Sequence, residues 1–135
     1  LERLEIIADT YLSTNTPIQH AFPKLMTLRT GIQTQIMDKV LRNMKYLENE
    51  IISHKPISLL KTEGGWYSIL QIPTRLDEEK FILHLLEKEN ILIHPGYFFD
   101  FRENGYLVLS LLTPESDFQK GVDGILKTVH ESLKT

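Results

Sequence analysis

The 135 residues include no cysteine. Disulfides, thiolate metal sites and cysteine nucleophiles are thereby excluded, and the composition fits a reducing cytoplasm. No apolar run approaches the roughly 20 residues that a membrane-spanning helix needs. Charge of one sign is never concentrated: 15 basic and 18 acidic residues are scattered along the chain for a net charge of -3. Neither a membrane nor a nucleic acid is therefore the expected partner. There is no GxSxG, so no nucleophile elbow. There is no GxGxxG or Walker pattern, so no self-contained phosphate cradle. Internal repeats and low-complexity linkers are also missing. The chain opens on Leu1 within a helical pattern and carries no basic, hydrophobic, small-residue leader, so it reads as a piece of a longer polypeptide.

What is present suits one folded domain, with 41% hydrophobic and 24% charged residues. Leu1, Leu4, Ile7, Ala8 and Tyr11 recur at helical spacing. Thr16 as cap and Pro17 as first helical residue predict a second short helix, which Pro23 should kink or restart. These first residues have little with which to build a core of their own. A long helix is predicted over 30–54, its face lined from Ile32 through Ile36, Val40, Met44 and Leu47 to Ile51, with Asp38 and Arg42 as a surface pair one turn apart. At 1.5 Å per residue it would run roughly 35 Å, enough to connect two domains.

After Lys55-Pro56 the pattern changes. Residues 57–61 and 66–72 read as an antiparallel pair joined through Gly64-Gly65. A helix follows, with Thr74 and Asp77 as a capping box, Glu78 and Glu79 in its first turn and Asn90 as a left-handed end. Those two acids, with Glu87 and Glu89, read as a solvated face. Ile91 to Ile93 and Gly105 to Leu112 read as two further strands. Thr113-Pro114 then opens a terminal helix whose buried face runs from Phe118 through Val122, Ile125, Leu126 and Val129 to Leu133. The expected fold is α+β in two layers: a small, mostly antiparallel sheet with helices packed on one face, preceded by a long helix of interdomain type.

Between the last two strands lies the corner that carries the functional expectation. Pro95 should end strand pairing, and Gly96 should permit a positive φ and leave room for a close neighbour. Tyr97, Phe98, Phe99 and Phe101 crowd the corner and, with Trp66, could wall a pocket. His94 sits at a strand's C-terminal end, where ligands often approach sheets. Among His20, His54, His84, His94 and His130 no two stand three or four apart, so no pair of metal ligands shares a helix face and no metal is expected. Ser110 has no base near it in sequence and reads as structural.

Together these segments resemble the C-terminal small domain of class I and II aminotransferases, the fold-type-I group of pyridoxal-phosphate enzymes. The resemblance rests on an order: long helix, Gly64-Gly65-Trp66-Tyr67, acidic-start helix, apolar strand, Pro95-Gly96 with Phe99, Gly105-Tyr106 leading a strand with Ser110, and Thr113-Pro114-Glu115 opening the last helix. It implies residues 1–29 as the segment leaving a large domain and 30–135 as the small domain. It also implies pyridoxal phosphate as cofactor on a lysine upstream of Leu1, an amino acid and a 2-oxo acid as substrates, and a cytoplasmic homodimer. The small domain would supply a substrate-side wall from Trp66, His94, Pro95, Gly96 and Tyr97, and be inactive alone. Val108 stands where the family usually has a carboxylate-binding arginine, and Asp100 where it usually has glycine; Arg102 is the candidate substitute. Two other readings keep the fold: an effector domain of a transcription regulator, or a non-catalytic interaction domain.

Overall fold

A computed structural model describes residues 1–11, 15–73 and 77–134. The chain divides into two compact units, Leu1–Gln35 and Ile36–Thr135. The first holds α1 (Glu2–Tyr11), α2 (Thr16–Thr27) and the opening turns of α3 (Arg29–Ile52). Residues 1–10 and 15–35 are all exposed. The cap of α2 is Asn15, whose side chain accepts from the Ile18 N–H at 3.0 Å, and not Thr16, which is already helical. Asparagine reaches the same orphan donor as threonine, and moving the cap back one residue leaves Pro17 in the first turn. Pro23 does not restart the helix, since α2 runs through it to Thr27.

The second unit holds the core. Its sheet has the order β1 (Ser58–Leu59), β2 (Tyr67–Gln71), β4 (Tyr106–Ser110), β3 (His94–Pro95), with all three pairings antiparallel. Side chains alternate across a strand. Leu70 and Ile72 on the β2 side join Leu107, Leu109 and Leu111 on the β4 side in one cluster. That cluster also takes Leu47 from α3, Phe81 and Leu85 from α4 (Glu78–Glu89), and Phe118, Val122 and Val129 from α5 (Glu115–Ser132). All three helices thus lie on one face, giving two layers. Each fully buried leucine or phenylalanine contributes about 1.5–3 kcal/mol by leaving water.

Several local expectations are corrected. Ile91 to Ile93 form no strand; pairing is confined to His94 and Pro95 and ends at Pro95 as expected, with Pro95 itself opposite Leu107. Proline is tolerated because β3 is an edge strand, where a missing donor need cost no ladder bond. Arg42 pairs with Glu115 at 2.6 Å rather than with Asp38, although both partners are about half exposed and such a pair adds little. No side chain caps α5, and the Thr113 hydroxyl donates instead to the Ser110 carbonyl. Thr74 lies outside the described residues; the cap of α4 is Asp77, accepting from the Lys80 N–H. Asn90 takes the expected left-handed conformation at φ 54°.

Two further polar side chains tie α3 to its neighbours. Buried Asn43 donates to the carbonyls of Leu111 and Thr113 at 3.0 and 2.9 Å. The Tyr46 hydroxyl donates to Asp123 at 2.7 Å. Burial first, then that bond and the charges of Asp123 and Glu50, push the Tyr46 phenol up to about 12 from an ordinary 10.0. A raised pKa in the folded state means stability that is complete below the unfolded value and is lost above it. Alkaline destabilisation should therefore set in above pH about 10 and be complete near 12. Unfolding measured across that window should show a shallower fall in Tyr46→Phe.

Candidate functional site

The corner between β3 and β4 is held by a carboxylate from α4. Asp77 starts that helix, so Glu78 occupies its first position, where the side chain reaches back toward the sheet. Glu78 is 3% exposed, not part of a solvated face. Its Oε1 accepts from the Gly96 N–H at 2.6 Å, and its Oε2 from the Gly105 and Tyr106 N–H groups at 2.7 and 3.0 Å. One side chain thereby closes both ends of the excursion 96–105 and satisfies three donors that would otherwise be buried unpaired. Nothing in the local sequence signals this, because an acid at a helix start is fully explained by the helix dipole.

Gly96 is needed for closeness rather than for a positive φ. A Cβ there would stand 2.6 Å from Tyr106 Cβ and 3.2 Å from both Phe101 Cβ and the Tyr106 carbonyl oxygen. The close neighbour expected from the sequence is therefore the chain's own next strand. Positive φ occurs instead at Gly105, 101°, and at Asp100, 62°. The departure at Asp100 acquires a reason: aspartate tolerates the left-handed region better than most residues that carry a Cβ. Asp100→Gly should leave stability within about 0.5 kcal/mol and Asp100→Val should cost about 1–2 kcal/mol, read from denaturant midpoints.

The sheet face turned away from the helices is the candidate site. Register places Tyr67 opposite Ser110, Ile69 opposite Val108, Gln71 opposite Tyr106 and His94 opposite Val108, and directly opposed residues share a face. From the short 3-10 turn Gly96–Phe99, the Phe99 ring approaches Tyr67 at 5.6 Å and His94 at 6.1 Å. It therefore roofs the row containing Val108, which is only 3% exposed. Tyr97 meets Phe98 edge-on, and Phe98 lies 6.0 Å from His94. His94 and Tyr97 are thus brought together through Phe98. Trp66 precedes β2 with its side chain exposed, and its carbonyl accepts from the Leu111 N–H. Pro95 and Gly96 are buried and structural, while Arg102 is exposed on the loop between Phe99 and β4.

An open cleft of about 570 Å³ lies beside this face, where residues 91–93 fail to continue β3. Ile93, Val108, Leu109 and Phe118 line it with His94, Ser110, Asp117 and Lys120. Of the six residues singled out from the sequence, His94 alone lines it. Ser110 is structural there, its Oγ accepting from the Leu112 N–H at 3.3 Å.

The corner does not fit a phosphate-bearing cofactor by itself. The N–H groups of Gly96, Gly105 and Tyr106, which could have cradled an anion, are all taken by Glu78. Among the described residues no lysine is buried, so none is set into the aromatic face as an amine nucleophile would be. Among the described residues no helix is long and apolar enough to cross a membrane.

The chain is thus an α+β domain, a four-stranded antiparallel sheet with helices on one face and an aromatic cover over the other. Solved structures with this fold include aminotransferases. An alanine aminotransferase from Pyrococcus furiosus superposes with a TM-score of 0.75 at 22% identity, over 96% of this chain and 34% of the other. An aspartate aminotransferase from Thermotoga maritima gives 0.69 at 22%, over 93% and 32%. A pyridoxal-phosphate-dependent aminotransferase from Streptococcus suis gives 0.70 at 21%, over 76% and 27%. The chain thus has the fold of a segment of these enzymes and spans about a third or less of their length. No protein-family model and no curated protein sequence matches it.

Proposed function

We propose that the chain is the small C-terminal domain of a pyridoxal-phosphate-dependent aminotransferase, moving an amino group between an amino acid and a 2-oxo acid. The observation that carries this is the whole-chain superposition on aminotransferases, joined to the ordered sequence features around Pro95-Gly96 and Gly105-Tyr106. In this reading the cofactor lysine belongs to a large domain upstream, the enzyme is a cytoplasmic homodimer, and residues 1–29 lead from that large domain. Trp66, His94 and Tyr97 face the substrate from this wall, and buried Pro95 and Gly96 set the turn that carries them. Arg102 takes the substrate carboxylate that Val108 cannot bind, because guanidinium offers a bidentate fork and valine no donor at all.

The test is to purify the polypeptide with its upstream coding sequence and supply pyridoxal phosphate, amino acids and 2-oxo acids. Cofactor absorbance and transamination are expected from the longer protein, and neither from residues 1–135 alone. Turnover by the isolated chain would contradict the placement of the lysine. In the longer protein Arg102→Ala should raise KM about ten- to a hundredfold with a smaller effect on kcat, the loss of one charge-assisted pair; an unchanged KM removes Arg102 from the site.

One observation favours a second reading. Val108 is uncharged and already roofed by Phe99, as suits a face that senses or docks a ligand without turning it over. A winged-helix segment upstream would make the chain an effector domain of a transcription regulator. Failure of the longer protein to bind cofactor would leave an interaction domain.

A further inference from the structure

Two histidines that stand 76 positions apart in sequence meet at the ends of two helices. His54 follows the last turn of α3, and His130 lies in the last turn of α5. Their ring centroids are 5.3 Å apart with the planes at 80°. The Nδ1 of His54 is 2.6 Å from the Glu50 carbonyl oxygen, and that of His130 is 2.8 Å from the Leu126 carbonyl oxygen. A carbonyl only accepts, so each Nδ1 carries the proton and donates it. In the neutral ring the lone pair is then on Nε2, and both Nε2 atoms are left as the available donors to a metal.

This is how metal-binding imidazoles are prepared: one nitrogen is anchored to a carbonyl, which fixes tautomer and ring orientation, and the other faces the ion. The spacing agrees. Two imidazoles sharing an ion through Nε2 at about 2.0 Å in tetrahedral geometry have centroids on the order of 5 Å apart. Both rings line a cavity of about 370 Å³, together with Glu50 and Asp123. Lys127 lines it too, but its ammonium is held by Glu89 at 2.9 Å.

We propose that His54 and His130 form a two-histidine site for a late first-row divalent ion, zinc being the probe of choice, which cross-links the C-terminal ends of α3 and α5. Among the described residues no three His, Asp or Glu side chains converge as a closed cage. The remaining coordination positions therefore open into the cavity and go to solvent. Imidazole nitrogen selects zinc, nickel or copper(II) over magnesium and calcium, which prefer oxygen. Helical periodicity could not reveal the site, because the ligands come from different helices.

Long-range proton–nitrogen NMR of the whole chain tests this directly. Without metal, His54 and His130 should both show the proton on Nδ1. Zinc should then shift both Nε2 signals together, saturating at one equivalent, whereas magnesium should leave them in place. By calorimetry, His54→Gln and His130→Gln should each lose the saturable zinc binding, while His20→Gln keeps it. Copper(II) should give an electron paramagnetic resonance spectrum with two equivalent imidazole nitrogens. Zinc that leaves either Nε2 unmoved overturns the proposal, as does undiminished binding in either single variant. Because the wild-type NMR result stands alone, a variant that fails to fold does not shelter the idea.

Discussion

Glu78→Gln is expected to lower unfolding free energy by about 3 kcal/mol, a large share of the 5–15 kcal/mol that holds a typical domain together. Glutamine has nearly the same shape but one acceptor oxygen instead of two. The carboxylate serves Gly96 through Oε1 and both Gly105 and Tyr106 through Oε2. Whichever way the amide is turned, its NH2 group confronts at least one backbone N–H, and two donors then meet with no acceptor between them. Each buried donor left unpaired costs about 1–3 kcal/mol. Glu78→Ala removes all three bonds and should cost at least as much. Urea unfolding should show the midpoint falling with little change in slope. A loss below about 1 kcal/mol would mean that the corner is held by something else. The same variants should weaken the near-ultraviolet circular dichroism of the aromatic corner, because Tyr97, Phe98 and Phe99 hang between the residues that Glu78 fixes.

The dependence on one carboxylate explains which parts of the structure could be read in advance. Periodicity located α3, α4 and α5, the Gly64-Gly65 turn and the left-handed end at Asn90, since each is set by residues within a few positions of one another. The continuous apolar run at Ile91 to Ile93 reads as a strand, and there neither the pairing nor the burial of Leu92 follows. Ile93 is buried, Leu92 is 76% exposed and Ile91 packs against the core, so the alternation is that of a strand although no ladder bonds form. Hydrophobic order does not record where the backbone hydrogen bonds go. Glu78 went unread because its partners lie 18 and more residues away. Gly96 was recognised as a place needing space, but whether the neighbour was a ligand or the chain itself depended on the fold of the whole corner. The aromatic composition of the candidate face was visible in sequence; its roofing of Val108 by Phe99 required the register of three strands.

Gly96→Ala is expected to cost about 2–3 kcal/mol, the range for forcing a methyl into a filled space. The atoms it would strike are Tyr106 Cβ, Phe101 Cβ and the Tyr106 carbonyl, none of which can swing aside as a side-chain tip can. Gly124→Ala is the internal control: its new methyl would meet Ile91 Cδ1, the flexible end of a side chain. A helical alanine also gains about 1 kcal/mol over glycine, so that variant should stay near neutral. What makes Gly96 intolerant is that Glu78 binds the N–H groups of both Gly96 and Tyr106, pinning the two walls of the gap to one carboxylate. The two substitutions should therefore be coupled. Once Glu78→Gln has released the corner, strand and turn can separate by the roughly 1 Å that a methyl requires. The double variant should then be less destabilised than the sum of the singles by about 1 kcal/mol or more. Strict additivity in a urea double-mutant cycle would show that the close approach at Gly96 is set by the β3–β4 ladder alone, with Glu78 holding the corner's ends but not its width.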